Sequence, residues 1–103
     1  MYVVTVLFTL KPEHSAAFLQ AVILNAKTSL ADEPGCRQFD VCVPHNGPNE
    51  VFLYEIYDSM AAFAGHLVTD HFQAFNTLSA PWVASKIVHT MLRVSPENRL
   101  LNH

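Results

Sequence analysis

The chain has 103 residues, of which 50% are hydrophobic and 15% charged, and a net charge of −3. This length supports one compact domain with a real core and leaves no room for a second. The six Lys and Arg residues are scattered and form no basic stripe for nucleic acid, and no apolar run approaches the ~20 residues of a membrane span, so neither partner is expected.

The opening run YVVTVLFTL is β-branched and aromatic and reads as a first strand, which Lys11-Pro12 stops because proline has no N–H for a ladder. No basic segment or small-residue cleavage site precedes it, which points to the cytoplasm. From Glu13 to about Ala31 the spacing is helical, with Phe18, Leu19, Val22, Ile23 and Leu30 on one broad side. Glu33-Pro34-Gly35 closes this helix, since the residue before proline avoids the α region and glycine tolerates a left-handed turn. CRQFDVCV and EVFLYEIYD then read as an antiparallel hairpin around the turn PHNGPN. Cys36 and Cys42 fall on one extended segment, about 20 Å apart, and are expected to be free thiols. No CxxC pattern suggests zinc or redox chemistry.

Asp58-Ser59 offers a cap for a helix bearing Met60, Phe63, Ala64 and Leu67. Thr69 and Asp70 offer another, and Asp70 with Gln73 resembles a capping box, which predicts a fresh helical turn over QAFNTLSA. Pro81-Trp82 ends it, SKIVHTMLRV forms a last strand, and a polar tail runs from about residue 95 to 103. The order β-α-β-β-α-β is that of an α+β, ferredoxin-like fold, with a four-stranded antiparallel sheet carrying its helices on one face. The strands are apolar on both faces, yet one helical layer covers only one. A homodimer with sheets packed face to face is therefore expected.

Several polar residues interrupt the apolar pattern. Asn25 and Ser29 fall in line with Phe18 and Val22, so both face inward, where they either tie down the structure or line a pocket. Glu55 shares its strand face with Leu53 and Tyr57; pairing with Arg37, Lys86 or Arg93 would answer its burial, and a site role is the alternative. Tyr54, on the opposite face, is either core or aimed into a cavity. His66 and His71 would point about 140° apart on one continuous helix. A break at Thr69-Asp70 lets both rings converge on one opening. Their spacing lacks the three- or four-residue step of a helical zinc site, so acid–base work is expected of them rather than metal binding.

The first strand, NAKTSLADEPGCRQFDVC, FLYEIYD, AAFAGHLVTDHF and SKIVHT together resemble the antibiotic biosynthesis monooxygenase family, its quinol monooxygenase members in particular. The resemblance covers about residues 2 to 94, and EPGC before an F-D-V strand, Y-E-I-Y and H-L-x-T-x-H-F carry it most specifically. It implies a dimeric α+β barrel and a pocket between helices and sheet at Asn25, Ser29, Tyr54, His66, His71 and Phe72. Such proteins include cofactor-free oxygenases of phenols or quinols, haem-degrading oxygenases and isomerases of small phosphorylated carbonyl compounds, and the fold alone does not choose. The haem-degrading branch is least similar: its strand-one polar residue would fall to Thr5 or Thr9, and its tryptophan is missing from HLVTDHF.

Two catalytic readings follow. In a cofactor-independent monooxygenase, His66 or His71 deprotonates a small substrate, Asn25 and Tyr54 hold its oxygens, and Phe52, Phe63, Phe72 and Trp82 exclude water. In an isomerase, the same groups shuttle a proton, with Lys27, Arg37 or a helix N-terminus near Asp58 or Thr69 anchoring a phosphate. A non-catalytic ligand-binding dimer module is the third reading.

Overall fold

A computed structural model describes residues 1–96. β1 spans Tyr2–Leu10, α1 Ser15–Asp32, β2 Cys36–Cys42, β3 Glu50–Tyr57, α2 Met60–Leu67, α3 Asp70–Ser79 and β4 Val83–Leu92. The strands form one antiparallel sheet in the order β2-β3-β1-β4, the ferredoxin-like arrangement. A short 3-10 turn, Pro12–His14, separates β1 from α1, so the helix starts two residues later than periodicity suggests. β4 begins two residues early, and the expected tail lies almost wholly outside the described residues.

The helices cover one face of the sheet. Val4, Val6 and Phe8 of β1 stand opposite Glu55, Leu53 and Val51 of β3, and on this face they meet Phe18 and Val22 of α1, both fully buried. On the other face Leu7 pairs with Phe52 and Ile87, and Thr5 with Tyr54 and His89. No described helix lies there, and Ile87 and Met91 are about half exposed.

Two local devices differ from the expected ones. Gly35 has no positive φ; its bare Cα is needed because a Cβ there would stand 2.8 Å from Cβ of Ala62 in α2. A register irregularity in β2 between Cys36 and Gln38 sets Cys36 on the helix face and leaves Cys42 exposed on the other. The Arg37 side chain at this point pairs with Asp58, Nε to Oδ1 at 2.6 Å and Nη2 to Oδ2 at 3.1 Å.

The close approach at Gly35 makes a direct stability test. Gly35→Ala pushes α2 away from the start of β2 and should lower unfolding free energy by about 1–3 kcal/mol in urea titration. An unchanged midpoint would show that the approach is loose.

Candidate active site

The chain breaks between α2 and α3 because two hydroxyl caps follow one another. Ser59 Oγ accepts from the Ala62 N–H at 3.1 Å to begin α2, and Thr69 Oγ1 accepts from the Phe72 N–H at 3.3 Å to begin α3. Thr69 rather than Asp70 is the cap. The expected Asp70–Gln73 capping box does not form, since Gln73 Nε2 reaches back to the Leu67 carbonyl at 2.7 Å and so ties the two helices together. Helix α3 consequently begins at Asp70, with His71 in its first turn.

The break brings the His66 and His71 rings to 6.0 Å, and what they share is a carboxylate. Glu33, at the end of α1, places Oε2 2.8 Å from His66 Nδ1 and 2.5 Å from His71 Nε2. A carboxylate only accepts, so each of those nitrogens carries the proton and donates. His66 is therefore held as the Nδ1–H tautomer with Nε2 free. Its side chain is 2% exposed, against 12% for Glu33 and 19% for His71, so the three run from the interior towards the surface. Their donor atoms lie within 4.8 Å of one another, a spacing that also suits a metal ion; here hydrogen bonds occupy it.

His66 lines a chamber of about 270 Å³ between the helices and the sheet, close to the lower end of small-molecule sites, roughly 300–1,000 Å³. Its walls are mostly apolar: Val4, Val6 and Leu53 from the sheet and Phe39, Phe63 and Phe72 around the imidazole. The Phe72 ring centre is 5.0 Å from that of His66. Asn25, Glu55 and Lys86 supply the other polar groups. Burial pushes the His66 pKa below its ordinary value; Glu33 pulls the other way and His71 adds to the depression. The ring is therefore neutral near pH 7 and able to take a proton. On the outer side Glu33 and His66 also border an open hollow with Gly35, Gly65 and Thr69, so the pair lies between the chamber and the surface.

The remaining sequence candidates separate. Asn25 is 4% exposed, and its Oδ1 has no hydrogen-bond partner among the described residues. It borders both the chamber and a second hollow shared with His71 and Phe75, so its orphan acceptor is available to a ligand hydroxyl. Ser29 is not available, because its hydroxyl donates to the Asn25 carbonyl one turn back at 2.8 Å. Tyr54 and Phe52 lie on the other sheet face, since alternation along β3 sends Leu53 and Glu55 towards the helices. Trp82 follows α3 and stacks on His14 at 5.8 Å, away from the chamber. Glu55 makes no ion pair among the described residues; Tyr57 Oη donates to its Oε1 at 2.5 Å.

Glu33 was not anticipated as a site residue. Its signal was present, because an acid at a helix C-terminus opposes the helix dipole and so needs another reason to be there.

The family model described as antibiotic biosynthesis monooxygenase matches residues 1–78. A Nitrosomonas europaea structure provisionally described as an antibiotic biosynthesis monooxygenase is 28% identical, with a TM-score of 0.87 over 91% of this chain and 99% of its own. A Lactobacillus acidophilus structure provisionally described as a monooxygenase is 26% identical, with a TM-score of 0.86 over 89% of this chain and 44% of its own. One from Caulobacter crescentus, at 24% identity and a TM-score of 0.86 over 91% of this chain and 90% of its own, shares the fold. No curated protein matches the chain.

The Glu33–His66 contact makes a signed pH prediction. A ring whose folded pKa is depressed favours folding above its unfolded value of 6.5, and that contribution is lost as pH falls through the folded value. Because Glu33 raises the His66 pKa, Glu33→Gln should move its titration, followed by NMR, to still lower pH. A shift upwards would show that the contact does not favour the charged ring.

Proposed function

The chain belongs to the antibiotic biosynthesis monooxygenase family, and we propose that it acts as a cofactor-independent monooxygenase on a compact phenolic, quinol or polyketide-like substrate. A substrate of this class, once deprotonated, is an electron-rich anion that reduces O₂ directly. The protein then has to remove a proton, hold the anion and keep water out. The single observation that carries the reading is the Glu33–His66 hydrogen bond, which turns the free Nε2 of a neutral imidazole into the base of an apolar chamber. Glu33 orients this ring as the carboxylate of a catalytic triad orients its histidine. His71, donating to the same carboxylate oxygen, helps to hold Glu33 in place. Asn25 Oδ1 receives a substrate hydroxyl, and Phe39, Phe63 and Phe72 exclude water.

The isomerase reading finds none of its expected anchors at the chamber. Lys27 is exposed on the outer side of α1, and Arg37 is engaged by Asp58. The N–H groups that begin α2 and α3 already meet Ser59 and Thr69. We also propose a homodimer in the cytoplasm, joined through the bare sheet face, because Leu7, Phe52, Ile87 and Met91 present an apolar surface there.

Purified protein supplied with menadiol, a simple anthrone or a phosphorylated hydroxy-ketone should take up oxygen in step with product on one of the first two, and should stop without oxygen. His66→Ala, if folded, should lower the rate at least about 100-fold. Prior treatment with a chelator should leave the rate unchanged. Turnover that persists without oxygen, or that needs a metal restored, would overturn the reading. Light scattering at micromolar concentration should give twice the chain mass, and Leu7→Asp should halve it; a monomeric wild type would refute the dimer.

A further inference from the structure

The chamber contains an acid outside the Glu33–His66–His71 cluster. Glu55 stands on the helix face of β3 between Val4 of β1 and Phe39 of β2 and is 3% exposed. Tyr57, two residues along the same face and fully buried, donates from its hydroxyl to Oε1 at 2.5 Å and fixes the carboxyl. The other oxygen has no protein hydrogen bond among the described residues and is left to the chamber that Glu55 lines. Lys86, on β4, lines the same chamber with its ammonium 5.5 Å from the centre of the Phe8 ring and makes no ion pair with Glu55. The result is a carboxyl and an imidazole base lining one mostly apolar chamber, a pairing that suits one group to take protons and the other to give them.

The proposed oxygenation needs such a donor, and this inference rests on that proposal. Oxidation of a methylene to a ketone, R₂CH₂ + O₂ → R₂C=O + H₂O, removes two protons from carbon. The first goes to His66; the resulting carbanion gives electrons to O₂ and forms a C–O bond, leaving a peroxide anion. That anion takes a proton to become the hydroperoxide. Loss of the second C–H proton then breaks the O–O bond, and the departing hydroxide is protonated to water. Carbon loses four electrons and O₂ gains four, and the two protons taken from carbon are the two received by oxygen.

We infer that Glu55 is the proton donor of this reaction, delivering its proton from the chamber-facing oxygen to the peroxide while Tyr57 holds the carboxyl in place. Burial raises its pKa to about 7, the Tyr57 hydrogen bond and the Lys86 charge oppose that rise, and Glu33 adds to it. Cys36 on β2 and His66 on α2 are the other titratable groups near it. The protonated acid is thus present at and below neutral pH and lost above it, so the rate should fall on the alkaline side from near pH 7.

The experiment is a pH–rate profile of oxygen uptake for the whole protein and two variants, with folding checked by circular dichroism. Glu55→Gln keeps an acceptor for Tyr57 but has no proton to give; its kcat should fall about 100-fold with KM nearly unchanged and the melting temperature not lowered. Tyr57→Phe removes a contact that lowers the Glu55 pKa, so the alkaline limb should move to higher pH. A Glu55→Gln variant with wild-type kcat, or a Tyr57→Phe limb that stays or moves down, overturns the inference and leaves the proposed oxygenase intact. No oxygen uptake by the unaltered protein overturns both. If Glu55→Gln fails to fold, the direction of the Tyr57→Phe limb decides.

Discussion

One carboxylate oxygen organises the interior of this protein. Oε2 of Glu33 accepts from an imidazole on each side of a helix break, and both contacts involve ionisable partners, the stronger kind of hydrogen bond. Much of the local architecture serves that meeting. Helix α1 delivers Glu33 at its end, the bare Gly35 lets α2 close in, and the Thr69 cap restarts the chain so that His71 turns back towards His66. Removing the carboxylate would leave a buried ring with an unmet N–H, which costs about 1–3 kcal/mol, besides freeing the tautomer.

The chamber's chemistry comes from the few polar groups within its apolar walls. His66 is kept neutral by burial, Glu55 is kept partly protonated by burial, and Asn25 offers an acceptor that no group among the described residues satisfies. In water these groups would behave as ordinary side chains. Enclosed by Phe39, Phe63 and Phe72, each has its affinity for a proton or a hydroxyl altered by the same cause, the loss of solvent. The cavity therefore does more than shape the ligand: burial in it lowers the pKa of the base and raises that of the acid to about 7.

Much of the fold can be read from local pattern. Alternation and β-branching mark the strands, Pro12 and Gly35 fall at real boundaries, and the inward position of Asn25 and Ser29 follows from the helical wheel. The break in HLVTDHF is legible because Thr69 is a good cap. What local pattern does not carry is which distant groups meet. Glu33 is 33 residues from His66 in sequence, so its hydrogen bond depends on how α1 and α2 dock. Tyr54 and Trp82 lie away from the chamber for the same kind of reason. Strand alternation already placed Tyr54 opposite Leu53, but which face carries the chamber is a property of the sheet as a whole. Glu55 shows a subtler case: its burial was legible, while the neighbouring Tyr57, rather than a cation across the sheet, turned out to answer it.

The central claim is that Glu33 holds His66 as a neutral Nδ1–H tautomer whose Nε2 is left as a free base at a mostly apolar chamber. Nitrogen-15 NMR of the histidine rings at neutral pH tests it most directly. The account predicts a protonated Nδ1 and an unprotonated Nε2 for His66, with that distinction weakened in Glu33→Gln. A His66 that carries its proton on Nε2, or that is doubly protonated at neutral pH, would contradict it.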